Sequence, residues 1–205
     1  MATVNLHPSS TLINDWDLAG SADTGTAHGN LSDSNDNSVL RENDQTRHCI
    51  FQLDNYTAGG TVTSIRWYVR ATMFNTRSSS SNTAIQVTLG NGSHTNISTG
   101  TEYYDENVTV EFQAGYAQND YYGTARADDG SSAWDATSLD ALRLDINTSP
   151  ADPPGISMIQ VAKAYVEVTY TVAVGYGNNV LGIARANISK VNGIATADIS
   201  KVNGV

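Results

Sequence analysis

Residues 61–73 read TVTSIRWYVRATM. Ile65, Trp67, Val69, Ala71 and Met73 fall on one side of an extended chain. Ser64, Arg66, Tyr68, Arg70 and Thr72 fall on the other. A period of two predicts a half-buried strand, with Trp67 turned to a core and two arginines turned to water. Residues 160–174, QVAKAYVEVTYTVAV, repeat the pattern at greater length. Ala162, Ala164, Val166, Val168, Tyr170, Val172 and Val174 share one face. Lys163, Tyr165, Glu167, Thr169 and Thr171 share the other.

The same alternation recurs in shorter runs. HCIFQL (48–53) puts Cys49, Phe51 and Leu53 together, and TAIQVTLG (83–90) does so for Ile85, Val87 and Leu89. NVTVEFQA (107–114) aligns Val108, Val110, Phe112 and Ala114, and LRLDIN (142–147) aligns Leu142, Leu144 and Ile146. Weaker strands are predicted near Val4–Leu6 and Val39–Arg41, which makes about eight. No helix-period segment of useful length precedes residue 175. The predicted fold is all-β: an antiparallel β-sandwich of jelly-roll type with a short C-terminal repeat appendage. Its predicted core holds Phe51, Ile65, Trp67, Val69, Val87, Val110, Phe112, Leu144, Val166 and Val168. The sandwich is assigned to residues 1–174, a glycine-rich hinge (GYGNN) to 175–179, and the appendage to 180–205.

Composition narrows the function. Charged residues make up only 16% of the 205, and the formal net charge is -10. Such a chain has no bulk attraction for nucleic acid or anionic lipid. No run approaches the roughly 18 apolar residues of a membrane helix. The opening MATVNLHPSS shows neither a basic nor an apolar region of a secretory signal. A single cysteine, Cys49, allows no intrachain disulfide.

Candidate chemistry is sparse. The four histidines (7, 28, 48 and 94) lack metal-ligand spacing. His48 is expected on the exposed face, opposite a buried Cys49. Asp33, Asn35 and Asn37 sit at positions one, three and five of a calcium-loop pattern. Position six is Ser38 rather than Gly, and position twelve is Asp44 rather than Glu, so a polar loop is the favoured reading. Glu102, Asp105 and Glu106 could form a hydrolase carboxylate pair only at a defined separation. The expectation is a protein without catalytic residues and without a cofactor. Tyr103, Tyr104, Tyr116, Tyr121 and Tyr122 cluster in sequence near Trp134. They are candidates for stacking on sugars or for an interface, as well as for the core.

The C-terminus carries a repeat. IARANISKVNG (183–193) is followed by IATADISKVNG (194–204) and Val205. Asn187 and Asp198 suit helix N-caps, and Asn192-Gly193 and Asn203-Gly204 suit left-handed stops after one helical turn. The IATA between them suits extended chain. Ile188, Val191 and Ile194 recur as Ile199, Val202 and Val205. These are the candidate partner-binding residues, because two units cannot bury such side chains alone. Docking on the sandwich, on a symmetry mate or on a partner is expected, and the protein is expected to be a homo-oligomer.

Several segments in order carry a resemblance: VNLHPSSTLINDWDLAG, LSDSNDNSVLRE, FQLDNY with SIRWYVRA, and WDATSLDALRLDI with IQVAKAYVEVTY. Together they resemble a jelly-roll virion-protein family of tailed bacteriophages, many from aquatic phages. Terminal KVNG repeats also recur in phage structural proteins. The resemblance implies a virion component with no catalytic residues, assembled in the host cytoplasm and taken to be a trimer. Two roles follow. One is a capsid decoration or cement protein bound to the major capsid protein or another virion protein. The other is a tail or head-fibre adhesin holding a host glycan. Small size and the lack of a long fibrous stalk make the first the main expectation, and the tyrosine-rich loops favour the second as the alternative.

Overall fold

In a computed structural model, the structure describes residues 1–19, 25–33, 36–42, 48–75, 83–91, 101–110, 117–148, 157–172, 190–191 and 194–195. The strands are β1 (Ala2–Leu6), β2 (Pro8–Asn14), β3 (Asp17–Ala19), β4 (Val39–Glu42), β5 (His48–Leu53), β6 (Thr61–Asn75) and β7 (Thr83–Gly90). They continue with β8 (Glu102–Val110), β9 (Asn119–Tyr122), β10 (Arg143–Thr148), β11 (Ser157–Thr171), β12 (Lys190–Val191) and β13 (Ile194–Ala195). Two short helices, α1 (Ala27–Ser32) and α2 (Ala136–Asp140), interrupt them.

Strands β4 to β11 form a jelly roll. One sheet runs β3-β4-β11-β6-β9, with β1 also paired to β11, and the other runs β2-β5-β10-β7-β8. Every pairing is antiparallel. Between the sheets lie Trp67, Phe51, Leu6, Leu53, Ile65, Met73, Ile85 and Leu89, all essentially solvent-free. Of the ten predicted core residues, nine are buried there; Phe112 lies outside the described residues.

Two bulges keep the long β6–β11 ladder in phase with this core. Val161 pairs with Ala71 and Lys163 with Arg70, so Ala162 is an extra residue on β11. The slip lets Ile159 and Val161 point inward on one side of it, and Ala164, Val166 and Val168 on the other. Near the far end Thr63 is extra on β6, which turns both Val62 and Ile65 inward.

Three expectations are corrected. His48 is buried, not exposed: its Nδ1 lies 2.9 Å from the Asp145 carboxylate, and Ile50 on the same outward face is also sealed from solvent. Tyr68, assigned with the arginines to water, is buried by its ring neighbours. Two helices precede residue 175. Each is only one to two turns long, too short for a periodic signal, but both carry caps: Thr26 for α1, and a capping box between Asp135 and Ser138 for α2. Finally, Lys190–Val191, expected within a helical turn, is a strand: it pairs antiparallel with Ile194–Ala195, so its backbone bonds run to the neighbouring strand rather than along a helix. The extended reading of IATA agrees with β13 at Ile194–Ala195. The other repeat positions, including Ile188, Ile199, Val202 and Val205, lie outside the described residues.

Among the described residues no helix is long and apolar enough to cross a membrane, and no three His, Cys, Asp or Glu side chains gather as metal ligands.

Candidate functional site

The outward face of the six-stranded sheet carries an ordered row of rings. Tyr165 pairs with Tyr68 across β11 and β6, and Tyr68 pairs with Tyr122 across β6 and β9. Because the three residues are in register, their rings meet in sequence. Tyr165 and Tyr68 stack at 4.3 Å and 17°. Tyr122 meets Tyr68 edge-on at 5.1 Å. His7, just past the end of β1, adds a fourth ring 5.4 Å from Tyr165. The row crosses four neighbouring strands, about 14 Å at the usual strand spacing. Tyr68 is closed in, whereas Tyr122 is 48% exposed.

Charged rows flank the rings, one pleat away on either side. On one side Glu167 pairs with Arg66, whose Nε donates at 2.8 Å while its guanidinium lies 4.6 Å from the Tyr122 ring centre. On the other side lie Lys163, Arg70 and Asp120 in register. Arg70 donates to Asp120 at 2.7 Å and to both oxygens of Asp36 at 3.1 and 2.9 Å. Tyr68 gives its hydroxyl proton to the same Asp120 oxygen at 2.7 Å. Burial, then this bond to Asp120, pushes the Tyr68 phenol up. The Arg70 hydrogen bond holds Asp120 below the usual carboxylate range. The result is a fixed surface of guanidinium, carboxylate and phenol groups around a partly open aromatic ring.

The predicted aromatics do not gather. Tyr104 and Tyr121 pack against the core, and Tyr103 lies edge-on to the buried Trp134 at 5.4 Å. Tyr116 lies outside the described residues. Tyr122 alone of the four described ones joins the outer row. The carboxylates also diverge. Asp105 is exposed and accepts from Gln86. Glu106 points inward and binds the Trp67 indole N–H at 2.8 Å and the Thr124 amide, with Arg126 at 3.7 Å. Glu106 is thus committed to tying the sheets together. Of the calcium-loop trio, Asp33 ends α1 as its C-cap and Asn35 lies outside the described residues.

The sequence missed Tyr68, Tyr165 and His7 as a group. Their signal was present: alternation put Tyr68 and Tyr165 on outward faces. What it lacked was the register that brings positions 68, 122 and 165 side by side.

No family model matches the chain, and no curated protein does either. Solved structures similar to it include a xylan-binding module at 11% identity, with 83% of this chain and 99% of that chain covered and a TM-score of 0.45. A carbohydrate-binding module specific for non-crystalline cellulose has 12% identity, 78% and 93% coverage and a TM-score of 0.43. An arabinose-bound α-L-arabinofuranosidase has 15% identity and a TM-score of 0.43, over 90% of this chain; the chain spans only a quarter of that enzyme's length.

Proposed function

We propose that this protein is a carbohydrate-binding β-sandwich, a virion adhesin that holds a glycan on the outward face of its six-stranded sheet. The observation that carries it is the row His7–Tyr165–Tyr68–Tyr122 set between two rows of hydrogen-bonding charges. A sugar offers an apolar C–H face and a rim of hydroxyls. The open Tyr122 ring suits the face, and Arg66, Glu167, Arg70 and Asp120 suit the rim. These groups are already locked to one another, so little ordering cost falls on binding. The role is binding, with no catalytic step. The virion setting rests on the sequence resemblance, and the repeats at 180–205 are the proposed means of attachment there.

The test is a glycan panel followed by titration calorimetry on the best ligand. Tyr122→Ala should lower affinity at least tenfold, in line with loss of a central aromatic anchor, while leaving the melting temperature close to wild type. Absence of binding across the panel, or unchanged affinity in Tyr122→Ala, would overturn the reading.

A further inference from the structure

The two charged rows beside the rings spend their hydrogen bonds unequally. Arg70 commits all three of its nitrogens. Its Nε donates to Asp120 at 2.7 Å, one terminal nitrogen to both oxygens of Asp36, and the other to the second oxygen of Asp120 at 3.3 Å. The first Asp120 oxygen also accepts from Tyr68. Arg66 commits Nε alone, to one oxygen of Glu167. Among the described residues, its two terminal nitrogens and the second Glu167 oxygen make no hydrogen bond. The Arg66 side chain is 39% exposed, and its guanidinium lies against Tyr122, the most open ring of the row. Charge is balanced here, Arg66 against Glu167. What the pair has left over is a donor and an acceptor held side by side.

We propose that Arg66 and Glu167 are the specificity-determining pair of this face, and that they take two neighbouring ring hydroxyls of a neutral sugar. One hydroxyl accepts from the guanidinium, and the next donates to the second carboxylate oxygen. This rests on the carbohydrate-binding reading above. The ion pair and the Tyr122 ring together fix the guanidinium, so its donors are aimed before a ligand arrives. A charged sugar fits less well. An acid group would compete with Glu167 for Arg66, and an ammonium would compete with Arg66 for Glu167, so either breaks a bond to make one. The Arg70 cluster, with its nitrogens engaged, positions Tyr68 and through it the row.

The test is titration calorimetry on the full chain with methyl glycosides of the common neutral hexoses, followed by the monodeoxy forms of the one that binds best. Two adjacent positions should matter. Removing either hydroxyl should weaken binding about tenfold, the usual worth of a hydrogen bond to a charged group. Arg66→Lys keeps the charge but not the fork, and should bind the parent and both deoxy forms within about twofold of one another. Arg70→Lys should lower the melting temperature and leave the deoxy pattern in place. If no sugar binds, the sugar-binding reading falls and takes this one with it. If a sugar binds and Tyr122→Ala weakens it, but no adjacent pair of hydroxyls is needed or the pattern survives Arg66→Lys, the diol assignment alone is overturned. Loss of the pattern in Arg70→Lys would overturn it as well.

Discussion

Trp67 shows how much can depend on one side chain. Its indole fills the core, and its N–H ends on Glu106 of the opposite sheet. Gly123 lies so close that an added Cβ would sit 2.3 Å from the indole nitrogen. Gly123→Ala should therefore cost about 1–3 kcal/mol by overpacking. Trp67→Phe should cost a similar amount, because it removes one of the hydrogen bonds to Glu106 and leaves a gap. Urea unfolding measures both, and a change below about 0.5 kcal/mol in either (the usual range of surface substitutions) would contradict the geometry. A second residue-scale prediction concerns His7. Burial and Lys163 lower its pKa in the folded protein below 6.5. Below that pH the unfolded chain takes up a proton that the folded one resists. The stability due to neutral His7 is therefore complete above pH 6.5 and is lost as the pH falls through the folded value. His7→Phe should flatten the loss of melting temperature between about pH 7.5 and 5; an unchanged slope would refute it. Cys49 needs no such test of role. Burial pushes its thiol up, and it donates to Asn14.

At the scale of elements, alternation revealed the long strands and hid the broken ones. In 64–73 and 163–170 the period of two runs cleanly, so the inward residues were readable. β2 was missed because Ser9 and Leu12 are each extra residues against β5, and two slips in seven residues erase any period. β9 has only four residues. Glu106 was misjudged because a carboxylate in phase with Val108 and Val110 reads as an interruption. Its partners Trp67 and Thr124 come from other strands and loops. The Ala162 bulge makes the same point in reverse: one small residue sets the phase of half a strand. Deleting Ala162 should turn Ile159 and Val161 outward and lose roughly 3–6 kcal/mol of burial. Chemical denaturation should show that loss, and a stability within about 1 kcal/mol of wild type would mean the ladder re-registers without cost.

Across the whole molecule the sheets join what the chain separates. β1 pairs with β11, and β5 with β10. This is why the fold class could be read from the sequence while the site could not. Fold class follows from the strands themselves, but the tyrosine row exists only once distant strands are set side by side. The described part of the sandwich ends at Val172. On the proposed reading, a chain stopped there should keep the melting temperature of the sandwich and its glycan affinity, and should lose incorporation into the virion. Incorporation at wild-type level would remove the repeats from that role.

The placement of β11 also has a mechanical consequence. It leads toward the terminal repeats, and it carries Tyr165 and Lys163. It is bonded along one edge by β6 and along the other by β4 and β1. If the molecule is tethered through its C-terminal side while a glycan grips its outer face, tension enters at the end of β11 and runs along the strand. Those antiparallel ladders would then be loaded in shear, many hydrogen bonds at once. Pulling the two chain ends apart would instead peel β1 from β11 one bond at a time, since Ala2 lies beside Tyr170 at the end where the chain exits. The grip would thus be strongest along the line from tether to sugar.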